Sequence, residues 1–166
     1  MNKCLFISIG LLLLCFLSHG QDTSSVQIYS GRGELNNPQL ILDLSYQNLT
    51  EVPIIASNPE IETLILDNNK LTKLPSWIGQ LKNLKILSLR NNNFKELDSG
   101  INNLPNLEQL YLSGNKELSD ISILNSTTKL KIIDVTDTKI NNLPAGVQMM
   151  DNLFYLKYTS KKENTK

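Results

Sequence analysis

The sequence predicts a repeat protein in which each unit begins with a short strand and then turns back. In the stretch LILDNNKLTKLP, residues 64–75, Leu64 and Leu66 alternate as a strand requires, and Asn69 follows where the strand ends. The same order of apolar and amide side chains returns one period later at Leu87, Leu89, Asn92, Phe94 and Leu97. A fixed period of about 23 residues is typical of repeat architectures.

The first twenty residues predict a secretory signal peptide rather than part of the fold. Lys3 supplies the positive charge, residues 5–17 form the apolar run, and Gly20 ends a cleavage site of small residues. The apolar run is too short to span a membrane, which takes about twenty apolar residues. The alternative is a lipidated Cys15, which the bulky leucine before it disfavours. We therefore expect residues 1–20 to be removed and the chain to be secreted or extracytoplasmic, in the periplasm or at the cell surface if it is bacterial.

Loss of the signal peptide removes every cysteine and the single histidine, because Cys4, Cys15 and His19 all lie within it. The mature chain therefore has no Cys or His for a nucleophile, a Ser-His-Asp triad or a zinc site. Its core alone must stabilise it, since no disulfide is possible. One Lys and no acid are lost with residues 1–20, which leaves 15 basic and 16 acidic residues. This near-neutral charge argues against a nucleic-acid partner.

Six pairs of strand residues define the repeat register. They recur at a near-constant step and are Leu42 and Leu44, Leu64 and Leu66, Leu87 and Leu89, Leu110 and Leu112, Ile133 and Val135, and Leu156 and Tyr158. Five residues after the start of each of the first five pairs stands a side chain that can form hydrogen bonds: Gln47, Asn69, Asn92, Asn115 and Thr138. Such a side chain is needed there because the backbone leaves the strand and its amide and carbonyl groups require partners.

At this point the pattern resembles the leucine-rich repeat family over residues 39–158. The segment LTKLPSWIGQLKNLKIL is similar to bacterial repeats of about 23 residues that carry L-P-x-x-I-x-x-L-x-x-L after the strand. The resemblance implies an α/β solenoid with about six parallel strands on a concave face and short helical or 3₁₀ segments on a convex face. It also implies a ladder of Asn side chains between neighbouring turns, which Gln47 and Thr138 should weaken at both ends.

Three segments are expected in the mature chain. Residues 21–38 are expected to be an N-terminal cap segment, in which the alternation around Ile28 forms a strand over the first repeat. Residues 39–158 are the repeat domain. Residues 159–166 are polar and rich in lysine, and a disordered tail is expected there.

The convex segments are predicted from apolar spacings of four, three and three residues. Such spacings place one apolar stripe on a helical or 3₁₀ turn, as at Leu74, Ile78, Leu81 and Leu84. Repeat four departs from this pattern because residues 121–128 are rich in Ser and Thr. An irregular loop is predicted there instead of a helix.

A row of charges supports the same register. Two residues before the first strand leucine of successive repeats stand Glu62, Lys85, Glu108 and Lys131. In a parallel sheet these residues are lateral neighbours of alternating sign, about 4.8 Å apart. We interpret the row as a structural feature that favours correct stacking, because the signs cancel and leave no charged binding stripe.

Function must be inferred from the concave face, whose side chains alternate with the buried leucines. Its centre combines apolar and aromatic residues with one Arg, and acids lie at its margin, which is the composition of a protein-binding patch. The predicted binding residues are Ile65, Ile86, Ser88, Arg90, Tyr111, Ile132, Asp134 and Tyr155. The competing interpretation is that β-branched and aromatic residues stand there because they suit strands.

The sequence therefore predicts a non-enzymatic protein-binding module of a secreted or surface protein. The alternative is an envelope-associated structural or scaffold protein without a tight soluble ligand. Catalysis is disfavoured because the carboxylates Asp43 and Asp134 are expected about 19 Å apart, whereas glycoside hydrolysis needs about 5 to 9.5 Å. We expect no cofactor, no metal, no nucleic acid, no membrane insertion after signal cleavage, and a monomer.

Overall fold

The computed structural model describes residues 4–9, 12–17, 27–31, 39–53, 60–126, 129–151, 153 and 155–158. The predicted cleavage site at Gly20 and the polar tail, residues 159–166, lie outside the described residues. The strands are β1 (Cys4–Ile9), β2 (Leu12–Leu17), β3 (Gln27–Gly31), β4 (Gln39–Asp43), β5 (Thr63–Ile65), β6 (Ile86–Ser88), β7 (Gln109–Tyr111), β8 (Ile132–Val135) and β9 (Tyr155–Tyr158). The helical segments are three 3₁₀ turns, Ser76–Gln80, Ser99–Asn103 and Ser122–Ser126, and α1 (Ala145–Gln148).

Strands β3 to β9 form one sheet in chain order. β3 runs antiparallel to β4, and every following neighbour pair up to β9 is parallel. The predicted parallel sheet is therefore confirmed in the described part of the chain. Its register confirms the repeat step, because Leu64 pairs with Leu87 and Leu87 pairs with Leu110. β1 and β2 pair with each other in a separate antiparallel sheet within the predicted signal peptide.

The core is a stack of apolar side chains that recurs from repeat to repeat in the described part of the chain. On the strands its first row is at most 2% exposed and consists of Leu42, Leu64, Leu87, Leu110 and Ile133. On the opposite side each short helix buries an apolar side chain at 0% exposure, and these are Ile78, Ile101, Leu124 and Val147. Full burial of such a side chain stabilises the fold by about 1.5 to 3 kcal/mol. Helices of four or five residues are therefore stabilised by packing, and none in the described ranges has the length and apolar character that crossing a membrane requires.

Repeat four contains the 3₁₀ turn Ser122–Ser126, so the predicted irregular loop is wrong. Ile121 and Leu124 are 1% and 0% exposed, which shows that the apolar stripe persists among the serines. The Asp120 carboxylate accepts a hydrogen bond from the Ser122 N–H at 2.7 Å and satisfies a donor at the start of the turn. Burial of the two apolar side chains outweighs the weak helix preference of Ser and Asn.

A ladder of asparagines closes the strand ends, as the resemblance to leucine-rich repeats implied. Asn69, Asn92 and Asn115 are only 7%, 5% and 0% exposed. Each donates its side-chain amide to carbonyls of its own repeat and the preceding one, and accepts a hydrogen bond from a backbone N–H of the preceding repeat. At the far end Thr138 has only a hydroxyl to donate, which reaches the Val135 carbonyl at 2.7 Å.

Two ion pairs tie neighbouring strands together on the surface. Lys85 Nζ lies 3.0 Å from Glu62 Oε1, and Lys131 Nζ lies 2.7 Å from Glu108 Oε2. These are the residues whose alternating charges indicated the register. Because both lysine side chains are at least 40% exposed, solvent screens the pairs and each contributes on the order of a few tenths of a kcal/mol.

Candidate functional site

The concave face is formed by the side chains of β4 to β8 that alternate with the core leucines. One row of register partners, which we call the central row, consists of Asp43, Ile65, Ser88, Tyr111 and Asp134. A parallel row consists of Ile41, Thr63, Ile86, Gln109 and Ile132. Arg90 lies two residues after the end of β6, beside the central row. Tyr155 of β9 pairs with Ile132, and its side chain lies outside the described part of the chain.

The centre of the face is apolar and half-buried. Ile65, Ile86 and Ile132 each keep part of their side chains exposed, and so does Tyr111. The Tyr111 hydroxyl donates a hydrogen bond to Gln109 Oε1 at 2.8 Å, which fixes the direction of the ring. An aromatic ring held in one orientation among aliphatic side chains offers contact area at little cost in side-chain entropy.

A polar network holds Arg90 against this aromatic ring. The Arg90 guanidinium carbon lies 4.0 Å from the centroid of Tyr111, the geometry of a cation–π contact. Arg90 Nη1 donates to Ser88 Oγ at 3.1 Å and lies 3.8 Å from Asp67 Oδ2. The Ser88 hydroxyl and the Arg90 backbone N–H both donate to Asp67 Oδ1, at 2.6 and 2.9 Å. The network therefore spans three neighbouring repeats.

Sequence reasoning placed Arg90 beside Tyr111 but missed the role of Asp67. Asp67 and Arg90 occupy the same position in successive repeats, and this equivalence was the available signal for their contact. Ser88 was predicted to meet a partner, yet it is only 3% exposed beneath this network. Its hydroxyl therefore positions Arg90 and offers no surface of its own.

Two carboxylates lie at opposite ends of the central row. Asp134 is only 8% exposed, and its Oδ1 accepts hydrogen bonds from the N–H and the hydroxyl of Thr136, at 3.1 and 2.7 Å. Asp43 Oδ1 accepts the same pair of bonds from Ser45, at 2.9 and 2.6 Å. The shared sequence feature is an Asp followed two residues later by Ser or Thr. Asp134 is thus more enclosed than a margin residue of an open face was expected to be.

The arrangement is suited to binding. It combines apolar area, a fixed ring, a guanidinium and two carboxylates that are about 19 Å apart across four strand spacings. Within the described ranges, no group of three or more His, Cys, Asp or Glu side chains is placed to hold a metal ion. Asp43 and Asp134 are too far apart to act on one glycosidic bond, which requires about 5 to 9.5 Å.

Comparison with known proteins agrees with this architecture. Residues 59–116 match the family model described as leucine rich repeat. Internalin C2 from Listeria monocytogenes is 33% identical with a TM-score of 0.61, and the match covers 70% of this chain and 50% of that one. The plant peptide hormone receptor RGFR1 in complex with RGF2 is 26% identical with a TM-score of 0.56, over 65% of this chain and 18% of that one.

A curated relative matches a shorter stretch. Leucine-rich repeat-containing protein 10 of Bos taurus is 44% identical over 55 residues, which are 32% of this chain and 20% of that protein. The chain thus spans about a fifth of this relative and half of internalin C2. The parallel strands, the 3₁₀ turns and the matched residues together establish the fold as a leucine-rich repeat solenoid.

Proposed function

We propose that this chain is a secreted, non-enzymatic binding module that engages a protein partner through its concave face. The observation that carries the proposal is the Arg90 guanidinium held 4.0 Å from the Tyr111 ring centroid at the centre of an apolar patch. Tyr and Arg are enriched among the residues that dominate the affinity of protein interfaces. Tyr111 lies on β7 and Arg90 lies two residues after the end of β6, and hydrogen bonds hold both side chains in place, which lowers the entropic cost of binding.

Two further observations support the proposal. The solved structure of the plant receptor is described as a complex with RGF2, so a solenoid of similar fold engages a partner there. The predicted signal peptide at residues 1–20 supports an extracytoplasmic location. Neither nucleic acid nor a cofactor is part of the proposal. The proposal takes the chain as a monomer that remains outside the membrane after signal cleavage.

The test is capture of surface and secreted proteins on the immobilised chain, followed by binding curves with the partner recovered. Tyr111→Ala and Arg90→Ala should each weaken binding by about 1 to 2 kcal/mol. Arg90→Lys should recover only part of this loss, because the ammonium keeps the charge but not the planar stacking.

Matched controls separate the face from general surface effects. Tyr46 is 75% exposed and lies outside the rows of the face, so Tyr46→Asn removes a second tyrosine at another place. Lys73→Ala removes an exposed cation on the turn before the first 3₁₀ helix. If Tyr111→Ala and Arg90→Ala bind as tightly as these controls and the wild type, the scaffold function without a tight ligand is the better interpretation.

A further inference from the structure

The two ends of the central row carry the same chemical group in the same local setting. Asp43 on β4 and Asp134 on β8 lie in the same row of paired residues, with one residue from each of the three strands between them. Each carboxylate is held through Oδ1 by the hydroxyl and N–H of the residue two positions later. Fixed carboxylates on both sides of Ile65, Ser88 and Tyr111 are a pattern that the proposed function alone does not explain.

The hydrogen bonds that reach these two carboxylates within the described part of the chain all go to Oδ1. Among the described side chains, no hydrogen bond or ion pair reaches Oδ2 of Asp43 or Asp134, whereas Asp67 is compensated by Arg90 at 3.8 Å. Among the side chains that the structure describes in the two rows, Asp43 and Asp134 are therefore the charged groups without an ion pair, and Lys157, whose side chain lies outside the described part of the chain, stands in register beside Asp134. Asp134 is 8% exposed, and a buried carboxylate gains more from a cation than an exposed one because water screens it less.

The spacing of the two charges selects the shape of the ligand. Four strand spacings of about 4.8 Å separate Asp43 from Asp134 by about 19 Å. In an extended peptide at about 3.3 Å per residue, positions i and i+6 are about 20 Å apart, and their side chains lie on the same side. Positions i+2 and i+4 then face the stretch between Ile65 and Tyr111.

We propose that the occupant of the central row is an extended segment of a protein partner with two basic residues six positions apart and apolar residues between them. The basic residues pair with Asp43 and Asp134, and the apolar residues cover Ile65 and Tyr111. This inference rests on the proposed function, since it specifies the partner of the same face. Charge complementarity at both ends sets the position of the segment along the row, and the apolar centre supplies contact area.

The probe is a labelled synthetic peptide, Gly-Lys-Ser-Val-Ser-Val-Ser-Lys-Gly, measured by fluorescence anisotropy against the full chain. One control peptide has both lysines replaced by glutamate, and a second has the lysines three positions apart, which places them on opposite sides of an extended chain. The first peptide should bind most tightly, and its affinity should fall as salt is raised. Equal binding of the three peptides would overturn the proposal.

Isosteric variants test the two carboxylates while keeping the acceptors for Ser45 and Thr136. Asp43→Asn and Asp134→Asn should each weaken binding of the lysine peptide about two- to fivefold. Because the sites are far apart, the double variant should lose about the product of the two factors. Asp151→Asn, at an exposed carboxylate outside the face, is the matched control and should bind as the wild type does.

Lys157 pairs in register with Asp134 at the next position of the row. Lys157→Gln removes a cation from that end and should leave peptide binding equal or tighter; weaker binding would contradict the role given to Asp134.

The partner captured on the immobilised chain separates this inference from the proposed function. A partner lost with Tyr111→Ala but retained by the double Asn variant refutes the charge pairing and leaves the proposed function intact. A partner that no variant of the face affects refutes both.

Discussion

Neighbouring asparagines of the ladder donate to the same backbone carbonyls, which makes the free energy that each contributes testable. Asn92 Nδ2 donates to the carbonyls of Leu66 and Leu89, at 2.9 and 3.1 Å. Each of these oxygens also receives a neighbouring amide, because Asn69 Nδ2 reaches Leu66 at 2.9 Å and Asn115 Nδ2 reaches Leu89 at 2.9 Å. Only the Leu71 N–H, which donates to Asn92 Oδ1 at 3.0 Å, depends on Asn92 alone.

The magnitudes follow from that count of partners. Asn92→Ala leaves the buried Leu71 N–H without its acceptor, which costs about 1 to 3 kcal/mol, while the Leu66 and Leu89 carbonyls keep one donor each. Adding Asn115→Ala removes the second donor to Leu89 as well. The loss in free energy of unfolding in the double variant should therefore exceed the sum of the two single losses by about 0.5 to 3 kcal/mol.

Urea unfolding followed by circular dichroism measures these free energies, and the ladder supplies its own control. Asn69 and Asn115 share no acceptor. Asn69 Nδ2 donates to the carbonyls of Leu44, Leu66 and Asp67, whereas Asn115 Nδ2 donates to those of Leu89 and Leu112. Their double alanine variant should be additive. Equal coupling in the neighbouring and the non-neighbouring pair would refute the sharing argument, because it would show that any two ladder losses cooperate through the solenoid as a whole.

Three further predictions concern stability and are checked by thermal and chemical unfolding. Leu110→Ala should destabilise the fold by about 2 to 5 kcal/mol through the cavity it leaves in the 0% exposed core row. Gly114 has φ +77, and a Cβ there would overlap Asn91 Oδ1, so Gly114→Ala should cost about 1 to 3 kcal/mol; an unchanged unfolding midpoint would contradict this strain. The hydrogen bond from Ser122 lowers the pKa of Asp120 below its ordinary value, so its carboxylate stabilises the folded chain above the unfolded-state pKa and loses this effect as the pH falls through the folded-state pKa. The advantage of wild type over Asp120→Asn should shrink in acid, and a constant advantage would show that charge plays no part.

Much of the fold was predictable because one near-constant repeat step fixes both the strand register and the direction of each side chain. The rows of the concave face followed from that step, as did the pairs Glu62 with Lys85 and Glu108 with Lys131. The direction of a side chain does not give its depth. Ser88 points to the predicted side of the sheet but is 3% exposed, since the longer Arg90 side chain lies next to it and bonds to its hydroxyl.

Repeat four shows a second limit of sequence reasoning. Its Ser and Thr content favoured a loop, whereas the buried Ile121 and Leu124 and the bond from Ser122 to Asp120 determine a 3₁₀ turn. Local composition reports the preference of an isolated segment. The neighbouring repeats add packing energy that composition does not contain, and packing outweighs preference in a turn this short.

The ladder and the concave face meet at the backbone of Arg90. Its carbonyl accepts hydrogen bonds from the Asn68 N–H at 2.8 Å and from Asn92 Nδ2 at 3.2 Å, and its own N–H donates to Asp67 at 2.9 Å. The residue that carries the guanidinium is thus fixed by the repeat before it and by the ladder inside its own repeat. The position of Arg90 beside Tyr111 is therefore set by the same bonds that hold the solenoid together, which is the preorganisation that the proposed binding face requires.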